Sequence, residues 1–203
     1  MRYVRALCRR IFAFLYLNFI KIFYFKAFKF KALQVISLST KFVINDSGKI
    51  TLGRKIGTRR NVEFRVSEVG KITVGDNSFF NNGCLINSML QVDIGSNTQF
   101  GPNVLVFDHD HDFRVETGIK AGEFKRSSIK IGNNVWIGAG SIILRGTTIG
   151  DNCVIAAGSV IKGNYPPNKV ILQKRDTVFK EIVNSARVRD DGSDGSYKGI
   201  TSN

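Results

Sequence analysis

The stretch from Ile131 to Ile161 reads IGNNVW, IGAGSI, ILRGTT, IGDNCV, IAAGSV, I, with an isoleucine at every sixth position. Gly follows Ile131, Ile137 and Ile149, and Ala follows Ile155. A period of six is not the 3.6 of a helix, nor the two of a lone half-buried strand. It suits a chain that turns a corner every six residues and sends one aliphatic side chain per side toward a shared axis. Small or polar residues make the bends, and stacked turns bury a continuous apolar column.

Working outward, Ile44, Ile50, Ile56, Val62, Glu68, Val74, Phe80, Ile86 and Val92 keep one phase, with Glu68 as its break and SEVGK as a turn. Ile94, Phe100 and Val106 keep a second phase, shifted by two. Asn77, Asn81, Asn82 and Asn87 fit tight corners, because Asn tolerates the left-handed backbone. Trp136, the single tryptophan, reads as packing bulk on the coil. NYPPNK at 164–169 ends the repeat, since proline cannot donate to a strand ladder. Residues 44–172 are therefore the repeat domain. Residues 173–186 read as a short helix with Val178, Ile182 and Val183 on one side, and 187–203 as a disordered polar tail.

Between Val106 and Ile131 the period fails, and the interruption, FDHDHDFRVETGIKAGEFKRSSIK at 107–130, holds both histidines of the chain. A loop this long inside a regular scaffold points to function. His109 and His111 sit among Asp108, Asp110 and Asp112. An imidazole beside a carboxylate is held in one tautomer and made more basic, which suits a general base. Asp108 and Asp110 are equal candidates to orient the ring. A zinc site built on imidazoles wants three of them, and the chain has two. No metal is expected. No Ser or Cys neighbours a His, which argues against a covalent nucleophile.

The formal net charge is +14 over 203 residues, so anionic partners are expected. Residues 1–43 concentrate that character. MRYVRALCRRIFAFLYLNFIKIFYFKAFKFKALQ carries eight Lys or Arg and no acid. Its apolar run, Ile11 to Ile20, is shorter than the ~20 residues that span a bilayer. Phe interleaved with Lys suits a helix lying on an anionic membrane surface, or else a helix or extended arm packed on the protein itself or on a neighbouring subunit. Nucleic acid is not expected, because the charge is too mixed with bulky apolar groups. Three scattered cysteines give no disulfide framework and favour a reducing cytosolic compartment, with Cys84 and Cys153 as core residues.

The 131–161 repeat, FNNGC at 80–84, the His-bearing loop, NNVWIG and the later PPN together resemble the hexapeptide-repeat acyltransferases. The likeness is to the maltose/galactoside O-acetyltransferase type, which includes capsule and lipopolysaccharide O-acetyltransferases. It implies an all-β fold, a left-handed parallel β-helix, and a homotrimer using acetyl-CoA as co-substrate. By that likeness the catalytic base is His109, at LVFDH, with His111 as runner-up and Asp108 as a possible partner. Asn81 falls on the acceptor contact, and Ala139, Ala157, Lys162 and Lys180 on coenzyme contacts. KVILQKR replaces the family's small-residue stretch after PPN. The implied reaction is acetyl transfer to a hydroxyl of a sugar in a cell-surface polysaccharide or its lipid-linked precursor. The basic aromatic arm would bring such an acceptor and the chain together in the cytoplasm, with the chain peripheral on the inner face of the bacterial plasma membrane. Rival readings are an N-acetyltransferase of amino sugar nucleotides, a γ-carbonic-anhydrase-type metal coil and a non-catalytic scaffold.

Overall fold

The computed structural model describes residues 2–174 and 176–180, with side chains from Arg10 onward. Residues 1–173 form one unit and 174–203 a second, separate one. The first unit is a parallel β-helix with an N-terminal helix over Arg2–Phe23. Its coils have three sides, which stack into three parallel sheets of seven, six and six strands. The first sheet holds 28–30, 49–52, 71–74, 92–94, 129–131, 148–149 and 164–165. The second holds 57–58, 79–80, 99–100, 136–137, 154–155 and 170–171. The third holds 41–44, 63–66, 85–88, 105–107, 142–143 and 160–161. The chain visits first, second and third in turn.

The C-terminal coils follow the six-residue rule. Trp136 stands opposite Val154 and Ile142 opposite Val160, a coil of 18 residues. The N-terminal coils do not. Ile50 stands opposite Ile72 and Phe42 opposite Phe64, a coil of 22 residues. Two of their three sides are four-residue strands with two inward residues each, such as Ile50 with Leu52 and Phe64 with Val66. The sixfold phase read over 44–92 therefore passes through sides and corners alike. Glu68 falls on a corner, at φ 54°, and not on a side.

A longer side makes a wider lumen, and the lumen filling changes accordingly. Phe28, Phe42, Phe64, Phe80 and Phe100 form a chain of ring contacts with centroids 4.5–5.4 Å apart. Beyond Phe100 the inward residues are Ile and Val, joined at corners by the buried Cys153. In a close-packed lumen a smaller group in the wide part leaves a void that nothing fills. Phe80→Ala is expected to cost about 3–5 kcal/mol, against about 0.5–1.5 for Ile143→Val in the narrow part. Urea unfolding of the two variants measures the difference.

Corners rest on residues that accept a left-handed backbone: Asn61, Asn77, Asn97, Asn103, Asn134 and Asn152 all lie at φ 54–58°. Asn81 and Asn82 stand at a corner but without the left-handed backbone, and Asn87 does not stand at a corner. Asn82 precedes Gly83, which takes the positive φ, and Asn87 lies in a strand with its buried Oδ1 unpartnered. Trp136 also departs from its expected role: it faces outward and is 57% exposed. The repeat passes through PPN as well. Pro166 and Pro167 occupy a corner where no ladder donor is needed, Asn168 turns it at φ 60°, and Val170–Ile171 pairs with Val154–Ile155. Residues 173–174 and 176–180 carry no helix, so the helix expected over 173–186 is not formed there. Its remainder, and the expected disordered tail, lie outside the described residues.

Coiling begins inside the segment read as an arm, because Phe28–Phe30 already pairs with Ile50–Leu52. The helix before it closes the wide end of the lumen. Ala13, Leu17 and Ile20, spaced for one helical face, join the buried core, and the Tyr16 hydroxyl donates to the Thr40 carbonyl at 2.8 Å. Its other face leaves Ile11, Phe14, Leu15, Phe19, Ile22 and Phe23 more than half exposed. No helix among the described residues is long and apolar enough to cross a membrane.

Candidate active site

The corner after the third-sheet strand Leu85–Ser88 is built unlike the others. No residue from Met89 to Gln91 has a positive φ. Instead the corner wraps around a carboxylate from the next coil. Asp108 is fully buried. Its Oδ1 accepts the Met89 N–H at 2.8 Å, and its Oδ2 accepts the Ser88 hydroxyl at 2.7 Å and the N–H groups of Leu90 and Gln91 at 2.9 and 2.8 Å. Consecutive backbone N–H groups converging on one anion form a nest. Burial alone would push the Asp108 carboxyl up. The hydrogen bonds from His109, Met89, Ser88 and Leu90 outweigh it and hold the group below the ordinary carboxylate range.

That anion meets His109. The ring Nδ1 lies 3.0 Å from Asp108 Oδ1. Since an ionised carboxylate only accepts, Nδ1 carries the hydrogen and Nε2 of the neutral ring keeps its lone pair. Nε2 has no partner among the described residues. The side chain is 12% exposed, with the edges of Phe107 and Phe124 against it at centroid distances of 6.3 and 5.5 Å. Adjacent residues of a regular strand point apart. Here Asp108 lies between the strands Leu105–Phe107 and His109–His111, where the chain leaves the coil, and the two side chains meet.

The remainder of the interruption is a small excursion. His109–His111 pairs antiparallel with Phe124–Arg126, and Arg126 and Arg145 fix it to the coil through Glu68 and Asp110. Asp110 is thereby excluded as the group that orients His109. His111 is exposed, its ring tilted at 37° against Phe124 with centroids 4.5 Å apart, and its side chain makes no hydrogen bond among the described residues. Among the described residues no three of His, Cys, Asp and Glu are grouped to hold a metal ion.

The other sequence candidates sort onto two edges of the rod. His109 and Lys162 lie at corners between the third and first sheets, and Lys162 is exposed. Asn81, Ala139 and Ala157 lie at corners between the second and third, which a ladder of hydrogen bonds joins: Gly83 N–H to Arg60 O, Asn103 N–H to Asn82 O, Gly140 N–H to Pro102 O and Gly158 N–H to Ala139 O. The Ala139 carbonyl is thus occupied. The N–H groups of Ala139 and Ala157 donate to nothing among the described residues, and both alanines are exposed. The coils approach so closely here that a Cβ on Gly138 would sit 2.5 Å from Ala157 N. Such an edge, with free donors and no side-chain bulk, fits the amide-rich arm of a coenzyme A thioester. Lys180 is exposed and belongs to the second unit.

Within one chain the third sheet separates the two edges, by roughly 13 Å for a four-residue strand. One chain therefore does not bring His109 together with Asn81 and the alanines. Between the edges the third sheet shows a column of Leu85, Leu105, Ile142 and Val160 on its outer face, in register.

Three-sided coils with stacked small-residue corners define the hexapeptide β-helix class. Comparison with known proteins agrees. Residues 128–163 match the bacterial transferase hexapeptide (six repeats) family. Galactoside O-acetyltransferase of Escherichia coli K12 is 40% identical over 111 residues, covering 55% of this chain and 54% of that one. A maltose O-acetyltransferase from Clostridium difficile 630 is 30% identical, covering 76% and 71%, at a TM-score of 0.47. An N-acyltransferase from Bacillus cereus, solved with dTDP and coenzyme A, is 17% identical but superposes at a TM-score of 0.55 over 76% of this chain and 84% of that one. The chain spans about half the length of the curated relatives it matches. It belongs to the hexapeptide-repeat transferases, and its fold is their left-handed parallel β-helix.

Proposed function

We propose that the chain is an acetyl-CoA-dependent O-acetyltransferase. Its acceptor is a hydroxyl of a sugar in a cell-surface polysaccharide or its lipid-linked precursor, and His109 is the general base. The observation that carries this reading is the Asp108–His109 pair: a buried, hydrogen-bonded carboxylate fixes Nδ1–H and presents a free Nε2. Nε2 takes the proton of the acceptor hydroxyl as its oxygen attacks the thioester carbonyl. The C–O bond forms, the C–S bond breaks, and the imidazolium returns its proton to the leaving thiolate. Backbone N–H groups at a coil corner meet the oxyanion. Asp108 stabilises the imidazolium without itself accepting the proton.

The separation of the two edges supports a homotrimer. The apolar column on the third sheet packs between copies, and the His109 edge of one copy faces the Asn81–Ala139–Ala157 edge of the next. Asn81 contacts the acceptor there, and Lys162 the coenzyme. Lys180 is assigned to the coenzyme by likeness to the family alone. The outward face of the N-terminal helix, with Lys21 over Phe30 and, just beyond the helix, Lys26 over Phe25, rests on the anionic inner leaflet of the bacterial plasma membrane. The likeness to galactoside O-acetyltransferase of Escherichia coli K12 supports a sugar hydroxyl.

The test is the full-length protein with labelled acetyl-CoA and matched hydroxyl and amino sugars, with and without anionic vesicles. Base-labile ester product, formed faster on vesicles, is expected. Label appearing only on amines would replace the reading with N-acetylation. Light scattering measures the expected trimer.

A further inference from the structure

A groove of about 940 Å³ lies where the N-terminal helix meets the coil, next to Asn81. Phe12 and Leu38 contribute apolar surface and Arg59, Arg60, Asn81 and Asn82 polar surface, and no Asp or Glu lines it. Arg54, Arg65, Arg126 and Arg145 each pair with a carboxylate. Arg59 and Arg60 form no ion pair among the described residues. The Arg59 guanidinium instead lies over the Phe79 ring, 5.9 Å from its centroid. Two adjacent unneutralised guanidinium groups beside an apolar wall select an anion attached to hydrocarbon. Arg favours phosphate in particular, because its planar fork matches two phosphate oxygens.

The groove also has a direction. Arg60 and Asn82 occupy successive corners of the edge that continues to Ala139 and Ala157, joined by Arg60 N–H to Asn82 Oδ1 at 3.0 Å. At its other end the groove is lined by Phe12 of the N-terminal helix, whose outward residues include Ile11, Phe14, Leu15 and Phe19. Phosphate at Arg59 and Arg60 therefore places a sugar at Asn81 and a hydrocarbon chain against Phe12 and Leu38.

We propose that this groove binds the phosphate of an amphiphilic acceptor, a sugar joined through phosphate to a hydrocarbon chain. The assignment rests on the acetyl-transfer reading for its sugar end, but the phosphate end is testable without catalysis. Calorimetry on the full chain would compare decyl phosphate below its micellar concentration with decyl glucoside and inorganic phosphate. Decyl phosphate is expected to bind most tightly. The double variant Arg59→Ala/Arg60→Ala should weaken it about tenfold or more, from the loss of charge-assisted contacts, with an unchanged unfolding midpoint. Equal binding of decyl phosphate and decyl glucoside, or no effect of the double variant, would overturn the proposal. So would an equal loss of binding to anionic phospholipid vesicles, which would assign the arginines to bulk headgroups. In the transfer assay the double variant should raise KM about tenfold for a decyl-phosphate-linked sugar and leave KM for the free sugar unchanged. Absence of transfer by the parent protein would sink the acetyl-transfer reading and leave the calorimetric result standing.

Discussion

His109→Ala, and equally His109→Gln, is expected to lower kcat by about 10²–10⁴-fold, the usual contribution of a positioned general base. The affinity for acetyl-CoA, measured by calorimetry on the same preparations, should stay within about threefold. The two readouts separate because the structure separates their residues. The free N–H groups of Ala139 and Ala157 stand on the edge between the second and third sheets, and His109 stands on the other edge of the third. Glutamine can retain a hydrogen bond to Asp108 but has no titrating nitrogen, so it reproduces the geometry without the chemistry. His111→Ala serves as the control. That ring is exposed and tilted against Phe124, with no carboxylate bonded to it among the described residues, so its loss should cost less than about fivefold. If His111→Ala is the crippled variant and His109→Ala is not, the base has been placed on the wrong ring.

Much of this was legible in the sequence, for reasons that particular residues make plain. From Ile131 to Ile161 each side of the coil is six residues with one inward aliphatic, so period and structure coincide. In the wide coils the same count survives only as an accident of Ile50, Ile56, Val62 and Val74 being buried. The 22-residue turn, set by four-residue strands, gives no six-residue period of its own. The width was written instead in the residue type: Phe at 28, 42, 64, 80 and 100, and aliphatics after that. The candidate site was half legible. Two histidines in the one interruption drew the eye to His109. The choice between Asp108 and Asp110 depended on a partner remote in sequence. The signal for it lay in SMLQ at 88–91, a corner with no Asn, Asp or Gly. Such a corner needs an acceptor from elsewhere, and Asp108 supplies it. That the candidate residues fall on two edges has no sequence signature, because it follows from which sheet each corner joins.

Asp108→Asn should damage stability and turnover together, and the geometry dictates why an isosteric amide is not a mild change. Oδ1 receives the Met89 N–H and the His109 Nδ1–H; Oδ2 receives Leu90 N–H, Gln91 N–H and the Ser88 hydroxyl. Whichever way the amide is turned, its NH₂ faces backbone N–H donors. Turned toward Oδ1, it also drives His109 to the tautomer with hydrogen on Nε2, where the ring cannot act as a base. The expected costs are about 2–5 kcal/mol of folding stability, from buried donors left unpaired, and about 10²-fold or more in kcat. The pH dependence distinguishes this from a generic core defect. The Asp108 carboxyl is held below its ordinary range in the folded chain, so its contribution is fully present above that range and is lost as pH falls through the lowered value. Urea unfolding from about pH 7 to about pH 3 should therefore show the parent protein losing its advantage over Asp108→Asn at the acid end, the two curves converging as the parent carboxyl protonates. Curves that remain parallel throughout would mean that the charge on Asp108 does not hold the corner at 88–91, and the orientation of His109 would then need another cause.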